Sequence, residues 1–242
     1  MSQHILNPQA KITLGYWGIR GLAQPIRFLL TCAEVPFSEL RLGVFQNGTL
    51  MKKEEEEKDW KQVRSTLNMP FPNLPYLIDN SASTPIELTQ SNTILRYLAR
   101  RFDFYGDSEL EQSEIDLLQD EAYDFRNEII KTAYTLGEEY NDVYDHFTNN
   151  TLLGYLHSFK QYLANQKNQT FFVGNRLSLV DFVFYELLWQ MKLMVPGSIT
   201  EAAQPMLFTF INHFEAIPQI AAYTQSDNYI EHPINSPWAS FS

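Results

Sequence analysis

KITLGYWGIRGLAQPIRFLLT, residues 11–31, is the stretch that decides the fold. Residues 12–17, ITLGYW, read as a short buried strand that runs out at a tyrosine. Gly18 and Gly21 then punctuate a turn. From Leu22 the apolar positions fall at Leu22, Ile26, Leu29, Leu30 and Ala33, with Phe28 beside them, the spacing of a helix packed back on a sheet. Tyr16 is thereby placed as a phenol at the carboxyl end of a strand, facing a helix start. Ligands of open α/β sheets bind at that end, where helix N-termini add positive potential. A phenol there can donate a hydrogen bond to a bound anion; on this stretch alone it can equally be a rim tyrosine that closes the turn.

Outward from this block, residues 37–42 (FSELRL) alternate and read as a second strand, parallel to the first because a helix joins them. The charged run at 52–59 suits a solvated face or a short exposed helix. Pro75 directly precedes the apolar run 76–78, so a strand starts at a proline, where no ladder donor is needed. The Leu74–Pro75 bond is either trans or cis, and a cis bond would turn the Leu74 backbone outward to pair with an extended peptide. Residues 86–88 return as a fourth strand, and Ser91 reads as the N-cap of an amphipathic helix through Ile94, Leu95, Leu98 and Phe102. The order βαβ, connection, ββα is thioredoxin-like, but no CxxC accompanies it, which removes dithiol exchange.

After a linker at 104–107 the pattern becomes helical throughout, with helices expected near 109–138, 146–166, 179–194, 206–216 and 218–225. Ser178 and Asp181 form a capping box, with Leu177 and Phe182 as its hydrophobic staple. Residues 228–242 make an irregular tail that must lie over something. The layout predicts an α/β thioredoxin-like N-terminal domain, 1–103 with an extension at 1–10, followed by an all-α C-terminal domain, 104–242.

Composition narrows the chemistry. The 242 residues are 44% hydrophobic, ample for a core, and carry a formal charge of -11, which disfavours nucleic acid and anionic membranes as partners. A single cysteine, Cys32, allows no internal disulfide and reads as core rather than nucleophile; with no signal-like or membrane-length apolar run, a cytoplasmic protein is expected. His4, His146, His157, His213 and His232 are scattered without metal-ligand spacing, so no metal is expected, and no P-loop or GxGxxG points to a nucleotide.

Four motifs, GYWGIRGLAQPIRFLL at 15–30, PFPNLPYLID at 70–79, LTQSNTILRYLAR at 88–100 and FVGNRLSLVDF at 172–182, carry a resemblance to the cytosolic glutathione transferases, closest to the mu class. The resemblance covers nearly the whole chain. It implies an enzyme that adds the thiolate of reduced glutathione to small hydrophobic electrophiles, with glutathione as co-substrate and no cofactor. Tyr16 then matches the catalytic tyrosine that holds the thiolate, and Tyr134 a second tyrosine over the electrophile. Trp17, Leu22, Trp60, Arg64, Asn73, Leu74, Gln90 and Ser91 match the glutathione site, with Asp124 approaching glutathione on a neighbouring subunit. Phe71 matches the aromatic key of a homodimer interface. Arg64 stands where the mu class usually has lysine, the 45–59 loop and 80–85 turn are long, and Asn127 and Lys131 make the expected electrophile site more polar. The resemblance also leaves room for a non-catalytic ligand binder, or a structural subunit that keeps the fold.

Overall fold

The computed structural model describes residues 3–46 and 49–242. Its core sheet has the order β1-β3-β2-β6-β7, built from β1 (Gln3–Ile5), β2 (Ile12–Trp17), β3 (Phe37–Leu42), β6 (Tyr76–Asp79) and β7 (Ile86–Thr89). The helix α1 (Gln24–Cys32) links β2 to β3, which pair in parallel from Ile12 opposite Phe37 to Trp17 opposite Leu42. The β6–β7 hairpin adds antiparallel to β2, placing Gly15 opposite Tyr76. A Cβ at Gly15 would sit 2.0 Å from the Tyr76 ring, so only glycine lets these strands close. The expected thioredoxin-like order is present, with one addition: β1 pairs antiparallel with β3 and covers the edge of the sheet.

The expected loop at 45–59 divides into a two-stranded ribbon, β4 (Phe45–Gln46) and β5 (Thr49–Leu50), and the helix α2 (Lys53–Arg64). Asn47 and Gly48 lie outside the described residues, as do Met1 and Ser2 of the expected N-terminal extension. Helix α3 (Ser91–Arg101) begins one residue earlier than expected. Gln90 is its N-cap, at φ +69°, and Ser91 is the first helical residue with no capping hydrogen bond.

The second half is helical: α4 (Glu109–Ala133), α5 (Glu139–His146), α6 (Leu152–Ala164), α7 (Leu179–Met194), α8 (Pro205–Glu215) and α9 (Pro218–Thr224). Two expected helices are corrected. The one at 109–138 ends at Ala133 with Tyr134 as its C-cap, and the chain turns through Gly137 (φ +71°) before α5. The one at 146–166 is α6, reached from α5 through a wide helical turn at Phe147–Thr151. Helix α7 has the expected capping box: Asp181 accepts N–H bonds from Ser178 at 2.8 Å and from Phe172 at 2.9 Å. Among the described residues no helix is long and apolar enough to cross a membrane.

One hydrophobic core runs from β2 and α1 into α4, α7 and α8. Phe28 of α1 meets Tyr185, Phe214 and Tyr223 edge-on, so rings from α7, α8 and α9 pack against the first helix of the sheet. Arg20, fully buried on the loop after β2, forms a two-pronged ion pair with Glu186 of α7 at 2.9 and 2.6 Å. The tail at 228–242 lies over this junction. Pro233 and Ile234 carbonyls accept from the Arg20 and Gly21 amides, and Ser240 N–H donates to Ala133 at the end of α4.

Candidate active site

Strand β2 delivers Tyr16 and Trp17 to its carboxyl end, and a single 3₁₀ turn, Gly21–Ala23, then leads into α1. The helix thus begins two residues later than the apolar spacing implied, and the N–H of Leu22 donates to the Tyr16 hydroxyl at 3.1 Å. Gly21 lies beneath that hydroxyl at φ +42°, and a Cβ there would stand 2.5 Å from the phenol oxygen. Burial raises the Tyr16 pKa above its ordinary value, against the Leu22 bond and the Arg126 charge, which lower it. Tyr16 is therefore a neutral phenol at neutral pH. With its oxygen accepting from Leu22, its O–H is left to donate.

Tyr134 stands at the end of α4, and its hydroxyl accepts the Ser236 N–H from the tail at 3.0 Å. Tyr16, Trp17, Ile19, Tyr134, Ser236 and Trp238 share one cleft of about 370 Å³, which Lys53 and Glu56 of α2 complete. Two phenols thus face the same space, each with its oxygen engaged by one backbone amide. Trp238 hydrogen-bonds the Glu56 carboxyl, whose pKa burial pushes up. Arg126 on α4 faces both phenols; burial lowers its pKa, but a guanidinium stays charged. No hydrogen bond or ion pair among the described residues engages it.

The other expected residues are distributed around this cleft rather than within it. Leu22 and Ser91 line a narrow crevice with Arg126 and Gly21. Trp60 and Arg64 lie on α2, half-buried and exposed respectively, and Asn73, Gln90 and Asp124 are exposed. The Leu74–Pro75 bond is cis, and the Leu74 amide donates to Asn73 Oδ1 at 2.9 Å, so the donor expected to meet a peptide has a partner in its neighbour. Phe71 is 77% exposed beside a backbone carbonyl fixed by Thr89 Oγ1. Asn127 and Lys131 are exposed and do not line the cleft, a correction: their positions on α4 fall one residue off the face that carries Arg126 and Tyr134.

Arg126, Ser236, Trp238 and Glu56 escaped the sequence reading. For Arg126 a signal existed, since it precedes Tyr134 by two spacings of four residues and so shares its helix face. The tail residues reach the cleft only through tertiary packing. Burial pushes the Cys32 thiol up to about 12, with Glu34 adding to the rise, which suits a core thiol and not a nucleophile. Among the described residues no cluster of three or more His, Cys, Asp or Glu could hold a metal ion.

Comparison with known proteins places these features. Residues 12–100 match the family model "Glutathione S-transferase, N-terminal domain" and residues 123–227 match "Glutathione S-transferase, C-terminal domain". The chain is 34% identical over 233 residues to glutathione S-transferase Mu 3 of Homo sapiens, covering 96% of each chain. It is 36% identical over 224 residues to glutathione S-transferase 2 of Gallus gallus, covering 92% of this chain and 94% of that one. The Pi-class glutathione S-transferase of Onchocerca volvulus superposes with a TM-score of 0.76 at 25% identity, over 95% of this chain and 99% of that one. A thioredoxin-like sheet that ends in a buried phenol, closed by a helical half with a second phenol, and matched by both family models, belongs to the glutathione S-transferase family, with mu-class proteins among its relatives.

Proposed function

We propose that the chain is a glutathione transferase that adds the thiolate of glutathione to a small hydrophobic electrophile, with Tyr16 and Tyr134 as its catalytic residues. The observation that carries this reading is the pair of phenols on one cleft, each oxygen accepting one backbone N–H. A hydroxyl fixed in this way directs its proton at whatever occupies the cleft. Tyr16 donates to the sulfur of the bound tripeptide, and Tyr134 to charge developing on the electrophile.

The magnitudes are adequate. A free thiol of pKa near 8.5 is only a few per cent ionised at neutral pH, and lowering it by about 2 units takes about 2.7 kcal/mol. One hydrogen bond to an anion supplies about 1.5–3 kcal/mol. The unpaired Arg126 guanidinium adds positive potential at the same point. A neutral Tyr16 matters here, because an ionised phenol would repel the thiolate it is meant to hold.

The tripeptide extends from Tyr16 past Trp17 and Leu22. Gln90 and Ser91 take its γ-glutamyl end at the start of α3, and Trp60, Arg64, Asn73 and Leu74 flank the rest. Gln90 is held at φ +69°, a conformation costing about 1–3 kcal/mol in a non-glycine residue, and such strain concentrates at ligand clamps. Two copies pair as a homodimer, with exposed Phe71 entering the partner and Asp124 approaching the partner's glutathione. The 1–103 and 104–242 units divide the work: the first binds glutathione, the second closes over the electrophile.

Steady-state conjugation of 1-chloro-2,4-dinitrobenzene tests the reading. Tyr16→Phe lowers kcat by about ten- to a hundredfold, one to two steps of 1.4 kcal/mol, while glutathione affinity changes far less. Full activity in that variant would remove Tyr16 from the mechanism.

A further inference from the structure

We infer that Gln119, on α4 of the helical half, is a positioning residue for the γ-glutamyl end of glutathione, acting on the sheet half through Asn92. The inference rests on the proposed function, which seats that end at the start of α3. Ser91, 8% exposed, is the first residue of α3 and has no side-chain cap before it, and the first amides of a helix have no partner within it. They can accept a carboxylate only if the turn that carries them is held in place. Gln90 does not hold it, since its side chain is exposed and caps nothing.

Gln119 supplies the hold from the other half. Its Nε2 donates to Asn92 Oδ1 at 2.9 Å, and Gln119, Asn92 and Ser91 line one narrow crevice. The same side chain is 2% exposed, and its Oε1 is buried without a hydrogen-bond partner. An unpaired buried acceptor costs stability, a cost that an apolar side chain of similar length would not carry. Docking of α3 on α4 does not depend on Gln119, because Arg96, one turn beyond Asn92, pairs with Asp116 at 2.6 Å and with Asp120 at 3.1 Å. A buried amide that weakens its own surroundings, and whose bond goes to the residue beside Ser91, is placed for the ligand end of α3 rather than for packing.

Isothermal titration of the full-length protein with S-hexylglutathione, and with S-hexylcysteinylglycine, which lacks the γ-glutamyl residue, tests the inference. Wild type is expected to bind the first about tenfold or more tightly than the second. Gln119→Met weakens S-hexylglutathione by about fivefold and leaves S-hexylcysteinylglycine within about twofold, the scale of one hydrogen bond lost at one end of the ligand. Its KM for glutathione rises by a similar factor while kcat at saturation holds, and its urea midpoint is no lower than that of wild type. Asn92→Ala removes the other partner and gives the same split between the two ligands, and the double variant loses no more than either single one. Should Gln119→Met not fold, Asn92→Ala carries the test. Equal losses for both ligands, or no loss for either, overturn the inference and leave the proposed function standing. A wild type that binds the two ligands equally removes the γ-glutamyl end from α3, and overturns both.

Discussion

Tyr16 depends on a neighbour with no side chain. Its hydroxyl takes the Leu22 amide only because the chain passes under the ring at Gly21, whose positive φ and open Cα face let the backbone approach. Gly21→Ala would bring a methyl to 2.5 Å from the phenol oxygen in a conformation L side chains rarely adopt. Either the ring moves or the turn does, and both separate the oxygen from Leu22. The expected result is a kcat loss comparable to that of Tyr16→Phe, together with a loss of stability of about 1–3 kcal/mol, because strain is added as well as a bond lost. Tyr16→Phe leaves the backbone alone, so the two variants separate on a urea denaturation curve even where their rates agree.

At the scale of elements, α7 shows how capping couples to pH. Asp181 is fully buried at the first turn, accepting from the Ser178 and Phe172 amides, and burial pushes its pKa up to about 6 against those bonds. Between the unfolded value near 3.9 and about 6, the folded chain therefore holds a proton that the unfolded chain has released. For this group stability rises as pH falls through that window, and drops as pH climbs through it. Asp181→Asn has no such proton. Measured against it, the wild type should lose up to about 3 kcal/mol between the acid and neutral ends of the window, read from urea curves at several pH values. A constant difference between the two proteins would contradict the raised pKa. This cap was legible in the sequence, as were β2, β3, the β6–β7 hairpin and both ends of α7, because each is written in a few adjacent residues. The end of α4 was not, because the helix stops at Ala133, four residues before the nearest glycine, Gly137. Strand β1 was not, since three residues show no periodicity and are fixed only by the open edge of β3. The Tyr16 half of the cleft could be read from a strand end and a turn. Ser236 and Trp238 could not, because a hundred residues separate them from Tyr134 and no local pattern announces the meeting.

Over the whole molecule, a single arginine joins the parts that enclose the cleft. Arg20 follows β2 by three residues, pairs with Glu186 on α7, stacks over Trp189 at 3.9 Å, and donates to the Tyr229 hydroxyl and the Ile230 carbonyl at the root of the tail. Sheet, helical half and tail are therefore registered through one guanidinium that no solvent reaches. Removing one partner of such a pair leaves the other charge buried and unmatched, at a cost of about 3–5 kcal/mol, whereas replacing both with apolar groups of similar size is often close to neutral. Arg20→Met should accordingly destabilise the protein by that amount, and Arg20→Met with Glu186→Leu should recover at least half of it. Activity should not follow stability. Even the recovered double variant lacks the bonds that hold residues 229–230, so Ser236 and Trp238 are no longer set against Tyr134, and conjugation should stay several-fold below wild type. Urea denaturation and steady-state rates on the same three proteins decide the matter: a double variant that regains both would make Arg20 a packing residue alone, and one that regains stability without rate identifies it as the tie that shapes the cleft.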